Sequence, residues 1–363
     1  MSATHGKITD SDEKTAESHT SDAAGPRPAA PLVPPKASPL AIPWIRIAFG
    51  MLIGAACIWQ IIQRQGNLHD VINDLLQVKV AWLAVALVLF AIDYAFRVLR
   101  WWVLVAALAP GIGPLRCAGP LFAGFALNNI LPARMGDVAR GALFTRELGL
   151  GASAVFATLI QERLVDLLVL LLIFAAGTQT LPPGSIDPRL TTGAGIAAGV
   201  AAVAVIVAIA LPAQLAKLFG FFAVKIPSVA SIARWIAQIF TAIARLRSPR
   251  ILVPVLVLSL IAWAFELAVF VAVARAVGMV CPLHVPPFAI AAGSLATLVP
   301  STPGQIGPFD ICCNKALVAC GIAPPLALTF TMVAHAMMLV PLTTAGLGWL
   351  LLRRSSPDAR AAD

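Results

Sequence analysis

The chain has 363 residues, of which 59% are hydrophobic and only 12% are charged, and its formal net charge is +9. Soluble domains carry about 25% charged residues, so this composition excludes an ordinary soluble protein and predicts an integral membrane protein. Cations of such proteins collect in cytoplasmic loops, so the positive balance does not indicate nucleic acid as a partner.

The apolar windows of the sequence predict an all-α, polytopic membrane bundle. Residues 1–40 hold nine charges and six prolines and predict a disordered cytoplasmic tail. The transmembrane domain follows at 41–352, with halves of 41–180 and 181–352, and a short cytoplasmic tail occupies 353–363. Windows of about 20 apolar residues predict six full spans. These are 42–62, 80–99, 152–176, 191–211, 251–275 and 326–352.

Two further apolar segments are broken by proline and glycine. Segment 118–131 ends at Pro132, and segment 286–322 is interrupted by Pro300, Pro303 and neighbouring glycines. Backbone that leaves the helical path at membrane depth must be surrounded by protein or line a cavity. Both segments therefore predict re-entrant hairpins.

The distribution of Lys and Arg predicts the orientation. With the N-terminus inside and each hairpin returning to its own side, sixteen cations outside the tail lie on the inner side and five on the outer side. The positive-inside rule therefore favours cytoplasmic N- and C-termini.

This topology also predicts an inverted internal repeat, a common design of transporters. At an offset of 168 residues, Pro132 and Gly136 align with Pro300 and Gly304. At an offset of 173 residues, Asp93 aligns with Glu266, and Glu162 aligns with His335. Polar residues inside spans are rare, so these coincidences support the repeat.

Residues 229–247 place isoleucines at helical spacing, with Arg234, Gln238, Thr241 and Arg245 largely elsewhere around the helix. This pattern predicts an interfacial amphipathic helix. The alternative is a connector whose cations only satisfy topology.

The span 152–176 contains three charged residues near the bilayer midplane: Glu162, Arg163 and Asp166. Glu162 and Asp166 share a helix face, and Arg163 is spaced to pair with Asp166. Ionised groups at this depth are costly unless paired or hydrated, so they predict a face that lines a transport route. The alternative is a buried ion network that only holds helices together.

Asp93, Glu266 and His335 also lie within predicted spans. Asp93 forms an i, i+4 pair with Arg97, and the RVLRWW segment predicts a cationic and aromatic anchor at headgroup level. Glu266 and His335 are candidates for substrate contact or proton relay. For His335 the alternative, which the sequence slightly favours, is a structural histidine bonded to a neighbouring helix.

The first break, NNILPARMGDVAR, predicts an anion site. Gly136 is expected to permit a tight turn, and the helix that follows presents free N–H groups and a positive dipole end. Arg134 and Arg140 add cations, Asn128 and Asn129 add amides, and Asp137 is expected to cap the helix. A phosphate suits this set of groups.

The second break, VPSTPGQIGPFD, offers hydroxyls, an amide and glycine-exposed backbone but no arginine. It predicts a more neutral contact or a gate. For both breaks the alternative is a broken helix packed within protein.

The sequence predicts no cofactor, metal site or catalytic centre. Its six cysteines form no CxxC pair, and a single histidine within the spans does not make a metal site. A catalytic membrane enzyme would need a nucleophile or paired-histidine arrangement, which is not found.

In order and separation, NNILPARMGDVAR, ERLVD and VPSTPGQIGPFD resemble the transmembrane region of the lysylphosphatidylglycerol synthase family, whose members are flippase-like. The resemblance covers residues 42–352 and implies a bacterial inner-membrane protein that moves, or helps to move, an amphipathic lipid between leaflets. Bifunctional members add a soluble C-terminal synthase domain; with eleven residues after Leu352, this sequence is expected to be a stand-alone form. By resemblance the family pattern is carried by Asn129, Arg134, Gly136, Asp137, Arg140, Glu162, Arg163, Asp166, Pro300, Pro303, Gly304 and Gly307.

The leading hypothesis is therefore translocation of a phospholipid or polyprenyl-phosphate-type lipid. Its headgroup would bind at the first break and cross beside the midplane charges while its tails stay in the bilayer. The alternative is a non-transporting subunit that presents lipid to a separate synthase or glycosyltransferase. A small-solute transporter also fits broken helices and midplane carboxylates.

Overall fold

The computed structural model describes residues 68–131, 134–181, 188–297 and 302–354. Within these ranges every regular element is a helix, which confirms the all-α prediction. The predicted tail 1–40, the predicted span 42–62, Pro300 and most of the C-terminal tail lie outside the described residues.

The helices are numbered here in chain order. They are α1 (Leu68–Leu76), α2 (Val80–Leu108), α3 (Pro114–Ile130), α4 (Met135–Leu143), α5 (Thr145–Leu148), α6 (Ala152–Thr178), α7 (Pro188–Ala210), α8 (Pro212–Lys225), α9 (Ala230–Arg245), α10 (Pro249–Ala276), α11 (Val285–Ala296), α12 (Pro308–Ala319) and α13 (Pro324–Arg354). Short 3-10 turns at Pro227–Val229 and Pro303–Gln305 precede α9 and α12.

Three of the described helices are long and apolar enough to cross a membrane: α2, α10 and α13. They contain the predicted spans 80–99, 251–275 and 326–352. The helix α2 continues nine residues beyond the predicted end at 99. Arg97 and Arg100, which predicted a headgroup-level anchor near that end, lie inside the helix.

The two remaining described spans are not among these three helices. The predicted span 152–176 is one continuous helix, α6, that carries three charged residues in its middle. The predicted span 191–211 is α7, which meets α8 at a bend of 88° after Leu211. The pair α7 and α8 counts as a fourth membrane-crossing segment only if it is taken as one broken span.

Each proline-rich break separates two helices that pack against one another. Helices α3 and α4 flank the first break, and α11 and α12 flank the second. Within the described residues, only Arg134 (φ 53°) and Gln305 (φ 64°) are non-glycine residues with positive φ, and one lies at each break. Non-glycine residues seldom adopt this conformation, so both breaks hold the backbone in an unfavourable turn.

Long-range packing places the two breaks together. Helix α2 packs along α10, α13 packs along α3, and α11 packs against α6. The apolar core that joins them is built around Phe270, Phe309 and Phe330, each at most 1% exposed. Side chains of both breaks therefore reach one central cavity.

Candidate substrate cavity

A cavity of about 370 Å³ lies between α2, α6, α10, α13 and the two breaks. Aromatic and aliphatic side chains form most of its wall, among them Phe125, Trp263 and Leu342. Its polar lining consists of Tyr94, Arg97, Asn129, Arg134, Asp137, Arg163, Asp166, Glu266, Ser294, Thr297, Gln305 and His335. The chain thus surrounds an apolar volume with charged groups of both signs.

The predicted site residues divide into three groups by position. Those that line the cavity are Asn129, Arg134, Asp137, Arg163, Asp166, Glu266, Gly304 and His335. Those described elsewhere, around or behind its wall, are Asn128, Gly136, Arg140, Glu162, Pro303 and Gly307. Pro300 is not among the described residues.

Asn128 joins the two arms of the first break. Its amide nitrogen donates to Asp137 Oδ1 at 3.0 Å, and its Oδ1 accepts from the Asp137 backbone N–H at 3.1 Å. The predicted cap role of Asp137 is therefore wrong, because Asp137 lies within the first turn of α4 and makes no capping bond. The backbone N–H of Asp137, in the first turn of α4, has no partner within its own helix, and the side-chain oxygen of Asn128 near the end of α3 accepts from it.

Arg134 links the two breaks directly. Its Nη2 donates to the carbonyl oxygen of Thr297 at 3.1 Å and to the Thr297 hydroxyl at 3.0 Å, and Thr297 directly follows α11. Within the described residues its guanidinium makes no ion pair and its Nε lacks a hydrogen-bond partner. Arg134 is thus a cavity cation held by neutral groups.

Arg163 pairs with Asp137 rather than with Asp166, which corrects the pairing expected from helical spacing. The Arg163 Nη2 lies 3.4 Å from Asp137 Oδ1, and the Arg163 side chain is 33% exposed. Asp166 is already occupied by Arg100 and by the indole N–H of Trp263, at 2.6 and 3.1 Å. Tertiary partners decide this pairing, because an i, i+3 contact contributes only about 0.2–0.5 kcal/mol.

The RVLRWW segment points into the bundle and is not the headgroup-level anchor that its composition predicted. Arg97 is 6% exposed, and Arg100 and Trp101 are fully buried. The Arg97 Nε donates to both carboxylate oxygens of Asp93 at 3.0 Å, and the guanidinium also pairs with Glu266 on α10. The predicted i, i+4 pair of Asp93 and Arg97 is confirmed, but it lies inside the protein.

Arg100 forms the centre of a second ion cluster. Its two terminal nitrogens lie 2.6 Å from Asp166 Oδ1 and 2.7 Å from Glu162 Oε1, and Ser259 accepts at 3.3 Å. One guanidinium therefore joins α2, α6 and α10 through charge-assisted bonds, which are about twice as strong as neutral ones.

Arg140 and Glu162 form a buried ion pair outside the cavity lining. Both are fully buried, and Arg140 Nη2 lies 3.5 Å from Glu162 Oε2. The Arg140 guanidinium also lies over the Trp101 ring, 4.2 Å from its centroid. These contacts orient α4 against α6, so the cationic lining of the first break comes from Arg134.

His335 connects α13 to the second break. Its Nδ1 lies 2.6 Å from Asp310 Oδ1, and its Nε2 lies 2.8 Å from the carbonyl oxygen of Gly304. Asp310 in turn accepts from the Gly307 N–H at 2.8 Å. Gly304 and Gly307 have φ of 62° and 103°, a conformation that glycine adopts without steric cost.

No group of three His, Cys, Asp or Glu with metal-binding geometry occurs in the described part of the chain. The cavity residues suit recognition of an ionic or amphipathic guest: arginine and amide donors for oxygen anions, carboxylates for cations, and an apolar wall.

The sequence matches a known protein family. The family described as Lysylphosphatidylglycerol synthase TM region matches residues 47–346, most of the sequence. The chain belongs to this family. It is also 26% identical over 316 residues to "Glycosyltransferase AglD" of Haloferax volcanii, in an alignment that covers 78% of this chain and 50% of that relative. The chain spans about half the length of this curated relative.

The family assignment and the apolar helices make the protein a multi-pass membrane protein, as predicted. The prediction that Gly136 permits a tight turn is wrong. This glycine does not form a positive-φ turn; it lies in α4 at a close approach to α3. A Cβ there would come within 2.0 Å of the Gly124 carbonyl oxygen and 2.5 Å of the Asn128 backbone nitrogen.

We expect Gly136→Ala to destabilise the protein, because the obstructing atoms are backbone and the two arms of the break must separate. Overpacking of this kind typically costs about 1–3 kcal/mol. Thermal unfolding of the purified protein in detergent measures the effect. Gly199→Ala in α7 is the matched control, since nothing lies within 4 Å of its added Cβ. Equal stability of both variants would contradict the close approach.

Sequence reasoning missed Arg97 as a cavity-lining residue and Arg100 as the centre of a buried ion cluster. A signal was present: Asp93, Arg97 and Arg100 follow the i, i+4, i+7 spacing of a single helix face within an apolar span. Charged residues inside a span face the bundle far more often than lipid. The partners of Arg134 at the second break had no comparable signal, since Thr297 lies 163 residues away.

Proposed function

We propose that the protein translocates an amphipathic lipid between membrane leaflets, with an anionic headgroup bound in the cavity. One observation supports this most directly: Arg134, from one break, lines a cavity that the other break also lines, and among the described residues it has no carboxylate partner. Phosphate oxygens are the preferred ligands of such a guanidinium.

The rest of the cavity fits a headgroup better than a bulk-water pathway. The two other lining arginines, Arg97 and Arg163, are each neutralised by acids. The wall between them is mostly aromatic and aliphatic. A phospholipid or polyprenyl phosphate satisfies both features, because its phosphate meets Arg134 while its chains stay against apolar surface.

The proposal includes six full spans, two re-entrant hairpins and an inverted repeat whose halves rock around the cavity. Asp93 and Glu266, equivalent at the 173-residue offset, meet on one guanidinium, that of Arg97. Residues related by a pseudo-two-fold axis meet in this way when they lie close to that axis. Gly136 and Gly304 are equivalent in sequence but differ in backbone conformation, so the proposed repeat is imperfect at the breaks.

We propose that the protein lies in a bacterial inner membrane, as the family resemblance implies. We also propose that both termini face the cytoplasm, which the distribution of its cations supports. We propose no catalytic activity of its own. Lipid is its partner, and nucleic acid is not.

A second candidate function is presentation of lipid to a separate enzyme. It is favoured by the relative named as a glycosyltransferase, of which this chain spans only half. In that case the cavity would hold a lipid carrier without moving it across the bilayer, and a synthase or glycosyltransferase would bind nearby.

Reconstitution tests the two candidates. Vesicles containing the purified protein and a headgroup-labelled lipid are treated with a membrane-impermeant quencher, and the rate at which inner-leaflet label becomes accessible is measured. We expect faster exchange than in protein-free vesicles for phosphatidylglycerol, phosphatidylethanolamine or a polyprenyl phosphate. Protein-free rates for all three, with co-purification of a lipid-modifying enzyme, would overturn translocation in favour of presentation.

A further inference from the structure

We infer that helices α8 and α9 form a second lipid site, a surface that lies on the membrane and binds anionic headgroups. This surface, called the α8–α9 surface, comprises α8, α9 and the turn into α10, residues 212–250, and none of these residues lines the cavity. The inference does not require that the protein transports lipid.

The α8–α9 surface is uniformly positive. Its residues include six cations and no acid, and all six cations are exposed. They are Lys217, Lys225, Arg234, Arg245, Arg247 and Arg250. Each Lys or Arg next to an anionic leaflet contributes about 1 kcal/mol, or about fivefold in affinity.

The bend before α8 sets the angle between α8 and α7. Helix α7 is apolar, and α8 leaves it at 88° after the single residue Leu211. In the proposed topology α7 alone crosses the bilayer as the span 191–211, so the chain continues roughly parallel to the membrane plane along α8. Pro212 in the first turn of α8 suits this abrupt change, because its missing N–H costs nothing there.

The α8 helix exposes the apolar groups that such a position requires. Leu218, Phe221, Phe222 and Val224 are all exposed in the bundle. The Lys225 ammonium lies 5.8 Å from the Phe221 ring centroid, so a cation and an aromatic ring are adjacent on this helix. Interfacial helices bury such rings at the acyl boundary while the cations remain among phosphates.

Helix α9 combines a polar stripe with an anchored face. Arg234 and Arg245 are three turns apart on one exposed stripe. Ile239 and Ile243, at most 3% exposed, pack on α6 beside Ala157. This anchored face explains why the predicted interfacial helix is only partly available to lipid.

The anchor also places the α8–α9 surface beside the cavity. The Trp235 ring lies edge-on to Phe156 with centroids 5.3 Å apart, and Phe156 lines the cavity. The stacked rings of Phe219 and Phe240, 5.8 Å apart, hold α8 to α9. The α8–α9 surface combines exposed apolar groups with cations and contains no acid. It therefore fits an anionic lipid better than an acidic soluble partner.

Hydrogen exchange of the full-length protein in nanodiscs tests this assignment. Phosphatidylcholine discs are compared with discs that also contain phosphatidylglycerol, at equal size and low ionic strength. Phosphatidylglycerol is expected to slow amide exchange several-fold across 212–247 and to have little effect on α2 and α10. Added salt is expected to reverse the slowing, because exposed charges are screened.

The test variant combines Lys217→Gln, Lys225→Gln, Arg234→Gln and Arg245→Gln, and it is expected to lose the phosphatidylglycerol effect. Its matched control removes four exposed cations elsewhere, with Lys79→Gln, Arg116→Gln, Arg275→Gln and Lys315→Gln, and is expected to keep the effect. A charge-retaining variant, Arg234→Lys with Arg245→Lys, guards against misfolding and is also expected to keep it. Equal exchange of the wild-type protein in both lipids, or equal loss in test and control variants, would overturn the site. Either result leaves translocation itself to be judged by the vesicle measurement.

Discussion

Replacing Arg100 with leucine is expected to leave little correctly folded protein. The fully buried guanidinium bonds Asp166 at 2.6 Å and Glu162 at 2.7 Å. Its loss leaves these buried carboxylates with weaker or longer contacts, such as those with the Trp263 indole and Arg140 respectively. Removing one partner from a buried ion pair costs about 3–5 kcal/mol, a large part of the stability of an ordinary domain. The yield of monodisperse protein after extraction and its thermal unfolding in detergent measure the loss.

Two further variants separate the cause from a general intolerance of leucine. Arg116→Leu, at an exposed position in the first turns of α3, is expected to behave like the wild-type protein. Adding Asp166→Asn to Arg100→Leu is expected to recover part of the loss, because a neutral amide replaces the carboxylate that loses its closest cation, while Glu162 keeps Arg140 as a partner. A wild-type unfolding temperature for Arg100→Leu would show that the cluster does not hold α2, α6 and α10 together.

The part of the fold that sequence could predict is the part set by local physics. Apolar windows mark helices such as α10, because every backbone group in lipid must be bonded within its own segment. Pro303 and its neighbouring glycines mark a break, because proline lacks a donor and clashes with the preceding turn. These signals need no knowledge of any other helix.

The parts that could not be predicted depend on which helices meet. The spacing of Arg97 and Arg100 within an apolar span indicates a buried face, but it does not identify the acids of α6 and α10 that these arginines meet. The sequence predicts a turn at Gly136, but this position lacks room for a side chain because the Gly124 carbonyl oxygen of α3 lies against it. Likewise, the link from Arg134 to Thr297 joins residues of opposite halves.

Replacing Arg134 with glutamine is expected to lower the lipid exchange rate by about tenfold or more while the protein stays folded. Hydrogen bonds to a charged group contribute about 1.5–3 kcal/mol, and this arginine is the cavity cation without an acidic partner among the described residues. Glutamine retains an amide that can donate to Thr297, so the link between the breaks is weakened less than phosphate binding. The vesicle measurement supplies the rate, and thermal unfolding checks the fold.

Lysine at position 134 distinguishes charge from geometry. Lysine keeps the positive charge but loses the planar fork, so Arg134→Lys is expected to fall between the wild-type protein and Arg134→Gln. Arg116→Gln is the matched control for loss of one surface cation and is expected to exchange lipid at the wild-type rate. If Arg134→Gln also exchanged lipid at that rate, the headgroup would bind elsewhere. The guanidinium would then serve only to fasten the first break to the residue that follows α11.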